Sequence, residues 1–312
     1  MTDQQNQVFE DEIDLKELFT VLWANKIRIF AITGLISLSS IVISLMMNNY
    51  YTSETVLIAR DQEDSGSLSD LSGVASLVGV DLSGDGSSVF KVLEIIQSRE
   101  FTKHLITFDN VLPSIMAAES YDTSSKKIIF DPEIYDVESK TWTREPPANG
   151  NIVPSYLEAH REYAEMLSII KDKITGLISI KIEHVSPVFA HDFLSLIIQE
   201  ANNLNREIDV ETTTKALAYL KTELSQTPQV EIKRSISKLI ENQLETKMMA
   251  SIYDDYVLIP LEPPFVPDKK SGPVRSLIVI VSTLLAGIFS VMYVLIRHYF
   301  FDRQPIANKS DS

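Results

Sequence analysis

The sequence predicts an α+β fold with one membrane-spanning helix near each end of the chain. Between them it predicts a large α/β base domain that carries a long projecting helical hairpin. Two runs without a charged residue, at 29–47 and 276–296, are 19 and 21 residues long, and about 20 apolar residues are needed to cross a bilayer. The residues between these runs mix strand-like and helix-like segments. From Val188 to Thr227 there is no proline or glycine, which permits one very long helix.

The first uncharged run is predicted to be a membrane anchor that stays attached to the chain. Lys26 and Arg28 precede it, and the polar residues 48–51 follow it, as expected at the two membrane boundaries. A secretory signal peptide has a basic start and a small-residue cleavage site, whereas this run follows an acidic stretch and no such site comes after it. The alternative, a buried helix of a soluble core, is disfavoured by the length of both uncharged runs.

The charges next to the spans predict the orientation. Two spans place both tails on the same side, and Lys26 and Arg28 favour a cytoplasmic amino terminus. The predicted tails are therefore cytoplasmic, at 1–28 and 297–312, and the domain at 48–275 lies outside. That domain has 35 acidic and 22 basic residues, a net charge of −13, which argues against nucleic acid as a partner because phosphate binding needs clustered Lys and Arg.

Residue periodicity and punctuation predict the elements of the domain. A loop rich in Asp, Ser and Gly is predicted at 61–88. The predicted strands are 53–60, 127–130, 177–183 and 255–261, and the predicted shorter helices are 90–106 and 156–173.

The longest predicted element is a helix over about 187–225, followed by a second helix over about 229–249. Ser186 supplies an N-cap and Pro187 occupies the first helical position, while Pro228 separates the two helices. The middle of the first helix, at 205–215, is mostly polar, which favours a hairpin that projects beyond the core. The alternative is a pair of core helices in an ordinary globular domain.

Small residues mark a candidate packing face in the second span. Ser282, Ala286 and Ser290 recur every four residues, and small side chains let two membrane helices approach closely. Thr33 with Ser37, and Ser40 with Ser44, offer similar faces in the first span. The spans are therefore predicted to pack on each other or on neighbouring copies of the chain.

A proline-rich segment at 262–273 precedes the second span. Proline lacks an N–H and fixes its own backbone angle, so this spacing excludes a helix or a central strand and favours an extended, stiff segment. The prolines are Pro263, Pro264, Pro267 and Pro273.

Signals for chemistry are weak throughout the chain. There is no cysteine, which removes thiolate chemistry and disulfides. His184 and His191 do not share a helix because Ser186 and Pro187 place His184 in the preceding strand. The order HExxH is absent around His160. We therefore expect no enzymatic activity, no cofactor and no metal site.

Four segments resemble one family. EIDLKELFTVLWANK (12–26), GVASLVGVDL (73–82), VLEIIQSREF (92–101) and PPFVPDKKSGPVR (263–275) are similar to segments of the chain-length-determinant (Wzz) family of polysaccharide co-polymerases. Their order and spacing relative to the two spans also resemble that family.

The resemblance implies a multi-pass protein of the bacterial inner membrane whose main domain is periplasmic. It implies a ring-like homo-oligomer that sets the length of a lipid-linked surface polysaccharide, such as the O-antigen of lipopolysaccharide. The implied partners are a membrane polysaccharide polymerase, the lipid-linked polysaccharide and membrane lipids. Related members carry a tyrosine-kinase domain after the second span; 16 residues follow Ile296 here, so that domain is expected to be absent.

Two other functions stay open from the sequence. One is a component of capsule or exopolysaccharide export, and the other is a transmembrane adaptor of a separate cytoplasmic tyrosine kinase. A sensor would need a cytoplasmic output domain, which the short predicted tails do not provide.

Overall fold

The structure, a computed structural model, describes residues 15–59, 87–148, 150–172 and 174–299 and contains both helices and strands. The chain divides into two units, one made of Met1–Met47 with Gly272–Ser312 and the other of Asn48–Ser271. Most of the loop predicted at 61–88, residues 1–14 of the predicted amino-terminal tail and most of the predicted carboxy-terminal tail lie outside the described residues.

The helices, in chain order, are α1 Leu15–Ala24, α2 Lys26–Met46, α3 Ser87–Ile96, α4 Arg99–Leu105, α5 Val111–Ala117, α6 Tyr156–Met166, α7 Pro187–Gln226, α8 Val230–Ile252 and α9 Arg275–Arg297. The strands are β1 Tyr51–Ala59, β2 Ala118–Asp122, β3 Lys127–Phe130, β4 Tyr135–Asp136, β5 Thr141–Trp142, β6 Leu167–Lys171, β7 Ile178–His184 and β8 Leu258–Glu262.

In the described part of the first unit, the helices are α1, α2 and α9. Both α2 and α9 are long and apolar enough to cross a membrane. The helix α9 contains the whole uncharged run at 276–296, and α2 contains the run at 29–47 except for Met47. The two helices pack side by side. Their outward-facing side chains are large and apolar, as for Leu35, Leu284 and Phe289, which are 57–68% exposed. Such an outward surface is suited to lipid and not to water.

The second unit is built on a four-stranded antiparallel sheet with the order β6-β7-β1-β8. Side chains of a strand alternate between the two faces, and one face of this sheet is covered by the first part of α7. The fully buried side chains of that face belong to the central strands, and α7 contributes the opposing layer. They are Leu57, Ile178, Ile180 and Ile182 from the strands, and Ala190, Phe193, Leu194 and Ile197 from α7.

A helical hairpin of α7 and α8 extends from this core. The side chain of Ser186 accepts a hydrogen bond from the backbone N–H of Phe189 and so caps α7. With 40 residues, α7 is about 60 Å long at 1.5 Å per residue. Lys247 donates to the hydroxyl of Thr214 at 2.9 Å, so α8 runs back along α7.

The two halves of α7 differ in burial. Eight of its buried residues lie between Ala190 and Asn205, where the helix covers the sheet, whereas Thr213 and Leu217 are buried farther along. The second half therefore packs mainly against α8, and its other sides are exposed. The helices occupy 187–226 and 230–252, against the predicted ranges of 187–225 and 229–249.

The helix predicted at 156–173 is wrong in its second half. The helix α6 ends at Met166, and residues 167–171 form β6. Leu167, Ile169 and Lys171 are partly buried while the residues between them are exposed, which is the period of a strand. Pairing of β6 with β7 outweighs the helical tendency of the segment, because tertiary contacts override a weak local preference.

The helix predicted at 90–106 is also corrected, since it consists of α3 and α4 separated at Gln97 and Ser98. The hydroxyl of Ser98 accepts a hydrogen bond from the N–H of Phe101 at 3.1 Å and starts a second helix in a new direction. Serine favours such an N-cap position over a helix interior. The closing strand predicted at 255–261 is β8, which begins three residues later and ends one residue later than predicted.

Candidate functional site

Hydroxyl side chains connect the two apolar helices. Three hydrogen bonds cross between α2 and α9: Thr33 Oγ1 with Ser290 Oγ at 3.1 Å, Ser37 Oγ with Thr283 Oγ1 at 2.9 Å, and Ser40 Oγ with Ser282 Oγ at 2.6 Å. Interhelical hydrogen bonds of this kind hold membrane helices together where lipid offers no competing partner. We call these six residues the hydroxyl ladder.

The predicted small-residue face of the second span lies against the first span of the same chain. Ser282 and Ser290 belong to the hydroxyl ladder, and Ala286, between them, is only 3% exposed. Thr283 was not among the predicted contact residues. It is a small hydroxyl residue next to Ser282, and this could have indicated that it also contacts the first span. A role of this face in contacts between copies stays a prediction.

One hydroxyl near the end of α2 behaves differently from the ladder. Ser44 is 1% exposed, and within the described part of the chain its Oγ has no hydrogen-bond partner. A buried hydroxyl without a partner lowers stability. The small size of Ser44, and not its polarity, therefore explains how it fits between the helices.

The proline-rich segment continues from β8 beside the beginning of β1. Pro263 and Pro264 have no N–H to donate, and here the side chains of β1 act as donors. Ser53 Oγ donates to the carbonyl of Phe265 at 2.8 Å, and Thr55 Oγ1 donates to the carbonyl of Glu262 at 2.7 Å. The prediction did not include these two buried hydroxyls, which hold an extended chain that cannot form a full strand ladder.

The four prolines differ in their surroundings. Pro263 is exposed, Pro264 is half-buried and Pro267 is buried within the second unit, while Pro273 belongs to the first unit and precedes α9. Near the end of the segment, the N–H of Ser271 donates to the carbonyl of Tyr50 at 2.8 Å. The two ends of the domain therefore lie next to each other.

The foot of the hairpin is held by a buried amide. Asn202 in α7 is 2% exposed. Its Nδ2 donates to the carbonyl of Leu258, and its Oδ1 accepts from the N–H groups of Val257 and Leu258, all at 2.9–3.0 Å. One side chain thus fixes the chain that leaves α8 and enters the sheet. Nearby, the hydroxyl of Tyr256 donates to Asp209 at 2.9 Å.

His184 lies at the end of β7 and is almost completely buried. Its Nε2 donates to the carbonyl of Ser114 and its Nδ1 accepts from the N–H of Ser186, both at 3.0 Å. Burial lowers its pKa to about 4, so the ring is neutral near pH 7. It borders a cavity of about 390 Å³ that is also lined by Glu162, Glu165 and Glu183.

The remaining histidines of the domain are each bound to a neighbouring side chain. His160 contacts Thr102 at 2.9 Å, His104 contacts Glu200 at 2.6 Å, and His191 contacts Asp192 at 2.7 Å. Among the described residues, no group of three or more His, Cys, Asp or Glu residues is arranged to hold a metal ion. These pairs are contacts within and between elements of the fold and are suited to structural support.

Comparisons with known proteins identify a domain at the start of the chain. Residues 11–107 match the family model Wzz, chain length determinant protein. This match confirms the resemblance that was predicted from the sequence. It covers α1 and α2, β1, and the helices α3 and α4 of the second unit.

The chain also aligns with a solved structure described as a full-length bacterial polysaccharide co-polymerase. The identity is 15%, the TM-score is 0.40, and the alignment covers 94% of this chain and 100% of the other. No curated protein matches the chain.

Proposed function

We propose that this chain, whose residues 11–107 match the chain-length-determinant family, regulates the length to which a surface polysaccharide is polymerised. The family match carries the proposal. The matched residues include the first apolar helix and the beginning of the domain. The match therefore supports both the membrane-spanning helix and the domain attached to it. The regulated polymer in this proposal is lipid-linked and O-antigen-like.

In the proposed arrangement the two apolar helices cross the bacterial inner membrane and residues 48–275 form the periplasmic domain. The hydroxyl ladder supports this placement, because polar side chains in a membrane helix are satisfied by a neighbouring helix. The large exposed apolar side chains on the outer sides of α2 and α9 support it as well. The acidic charge of the domain keeps it from lying flat on anionic lipid.

The proposed mechanism is that of a scaffold and does not involve catalysis by this chain. Several copies assemble in a ring and hold the membrane polymerase and the growing lipid-linked polysaccharide, so that release follows after a preferred number of additions. The long hairpin supports this view because its second half is packed on few sides and offers an extended surface for contacts. Ser282, Ala286 and Ser290 keep the two spans together, and the proline-rich segment leads from the domain to the second span.

The test is a gel of surface polysaccharide from a strain that lacks the gene. We expect the wild-type ladder to show a preferred length and the deletion strain to show a distribution without that preference. Expression of the chain from a plasmid should restore the preferred length. An unchanged length distribution in the deletion strain would refute the proposal.

Two further results in the deletion strain and in the purified protein would indicate the other two functions. Loss of all surface polysaccharide with accumulation inside the cell would indicate an export component. Co-purification of a cytoplasmic tyrosine kinase, together with loss of its phosphorylation in the deletion strain, would indicate an adaptor.

A further inference from the structure

A groove lies where α1 meets α2. At Asn25 the backbone angles are φ −101° and ψ 13°, away from the helical values near −63° and −42°. The N–H of Asn25 still donates to the carbonyl of Val21 at 3.1 Å, so the helical path bends and is not interrupted. The groove has a volume of about 690 Å³ and is lined by Phe19, Leu22, Trp23, Lys26, Ile27 and Phe30.

The groove is apolar and open to its surroundings. Phe19 and Trp23 stack with ring centroids 5.9 Å apart, yet each is more than 60% exposed, and Ile27 and Phe30 are more than 75% exposed. Large apolar side chains grouped this way mark a surface that contacts lipid or protein. The exposed apolar side chains continue from the groove along α2. We therefore expect the groove to contact the same lipid that surrounds α2.

The positive charge of Lys26 favours anionic lipids over lipids without a net charge. The ammonium group of Lys26 lies 4.5 Å from the centroid of the Trp23 ring, and among the described residues that line the groove Lys26 alone is charged. An ammonium group over an indole ring is held in place by the electrons of the ring. A cation fixed at the membrane boundary, with Ile27 and Phe30 on its membrane side, is complementary to a phosphate headgroup above an acyl chain.

We propose that this groove is a binding site for an anionic phospholipid. The acyl chain packs on Ile27 and Phe30, which lie on the membrane side of Lys26, and the ammonium group of Lys26 binds the headgroup phosphate. The site rests on the proposed insertion of α2 in the membrane. Another membrane helix seated in the groove would bury the apolar side chains but would show no dependence on the lipid headgroup.

The experiment uses the fluorescence of Trp23 in the full-length chain. The chain has two tryptophans, and Trp142→Phe leaves Trp23 as the reporter while it keeps an aromatic ring beside Tyr135. The variant is reconstituted in phosphatidylcholine vesicles that contain increasing fractions of brominated phosphatidylglycerol or brominated phosphatidylcholine. We expect the brominated phosphatidylglycerol to reach half-maximal quenching at a roughly fivefold lower mole fraction, the ratio expected for one basic group near an anionic lipid.

Two matched substitutions assign the effect to the groove. Lys26→Gln should abolish the preference for phosphatidylglycerol. Arg28→Gln removes the same charge two residues away, but Arg28 donates to Asn25 Oδ1 at 3.0 Å and does not line the groove, so the preference should remain. Circular dichroism confirms that both variants keep their helices.

Three results would overturn the site. Equal quenching by the two brominated lipids would show that the groove does not select a headgroup. An equal loss of preference in Lys26→Gln and Arg28→Gln would reduce the effect to overall charge. Absence of quenching by either lipid would overturn the proposed membrane insertion, and the lipid site with it.

Discussion

His184 shows how one buried side chain makes the domain depend on pH. The ring uses both nitrogens, one as donor and one as acceptor, so only the neutral form with a proton on Nε2 fits. Protonation of Nδ1 would place an N–H against the N–H of Ser186. Because burial lowers the pKa of the ring in the folded domain, the free energy of unfolding depends on pH.

We expect the free energy of unfolding to fall as the pH decreases from about 6.5 to about 4. In the unfolded chain the ring takes up a proton near pH 6.5, whereas in the folded domain its pKa is about 4, so acid favours the unfolded state across this interval. The loss should reach roughly 3 kcal/mol. Denaturant unfolding of the chain at a series of pH values measures it.

The variant His184→Gln provides the control for this pH dependence. Glutamine also has a donor and an acceptor but does not titrate, so its stability should change less between pH 6.5 and pH 4. An equally steep loss in the variant would assign the effect to other groups. Glu158 is the nearest competitor because Arg144 and the N–H of Ser155 lower its pKa to about 2, but its contribution belongs to the interval below about pH 4.5.

Asn202 gives a second prediction for a single residue. Asn202→Ala removes the partner of three buried backbone groups, and leaving such groups unpaired costs about 3 kcal/mol in total. The neighbouring Asn203 contacts the side chains of Glu200 and Arg206 at the surface of α7, so Asn203→Ala should cost less than about 1 kcal/mol. Thermal unfolding of the two variants compares them, and equal losses would contradict the assigned role.

The sequence predicts few of the hydrogen-bond partners of individual residues. The position of His184 in a strand follows from Ser186 and Pro187, and the structure confirms it. Its partner Ser114 is 70 residues away, and local pattern does not show which distant carbonyl meets a given ring. The same holds for Asn202, whose partners are 55 and 56 residues away.

Among the elements, the pair α2 and α9 offers the sharpest comparison. Ser40 and Ser44 are one helical turn apart, and both are buried, but Ser40 bonds to Ser282 whereas the Oγ of Ser44 has no partner in the described part of the chain. Ser40→Ala should therefore weaken the pair by about 1 kcal/mol, as measured for hydrogen bonds between membrane helices. Ser44→Ala should be neutral or stabilising, because it removes an unsatisfied hydroxyl.

Unfolding of the full chain in mixed micelles, followed by the far-ultraviolet circular dichroism of the helices, would measure this difference. A variant Ser282→Ala should lose as much as Ser40→Ala, and the double variant should lose no more than either one. If Ser44→Ala were the more damaging change, packing and not hydrogen bonding would dominate at this end of the pair.

Periodicity predicted most of the elements and missed those that depend on pairing. The apolar spans and the long helix α7 have strong local signals, namely uncharged length for the former and an N-cap with no later proline or glycine for the latter. The strand β6 has a weak one, since LSIIK continues the helix α6 without a break in the pattern. Only the neighbouring strand β7 decides its conformation, and that neighbour comes later in the chain.

For the molecule as a whole, the proposed scaffold function depends on the reach of the hairpin. Replacing residues 218–238 with a short turn would remove the far end of α7 and α8 but leave the part of α7 that covers the sheet. We expect the shortened chain to fold, since the buried core residues all lie outside the replaced segment apart from Ile236. We expect it to lose control of polysaccharide length.

A gel of surface polysaccharide from a deletion strain that expresses the shortened chain measures this effect. A control chain with Lys221→Gln and Lys238→Gln keeps the hairpin length and should retain the preferred length. A normal ladder from a shortened chain that is folded and present in the membrane would show that the far end of the hairpin is dispensable.

Composition and uncharged runs predicted the arrangement of two spans around one acidic domain, since length and charge suffice for that conclusion. They do not predict that Thr33 meets Ser290, 257 residues later. Small-residue patterns indicated faces on both helices but left open whether the partner was the other span or another copy. Local pattern does not show which distant hydroxyl a given side chain meets.

The hydrogen bond from Ser271 to Tyr50 has a mechanical consequence for the domain. It places the first and last residues of the domain side by side, where β1 begins and the antiparallel chain that follows β8 ends. A force that pulls these two ends apart is perpendicular to the strands. It therefore breaks the hydrogen bonds between the two chain segments one after another, starting at the ends. The hydrogen bonds of Ser53 and Thr55 would break first, and the pairing of β8 with β1 would break next. The force would act on the helical hairpin only after β8 has separated from the sheet.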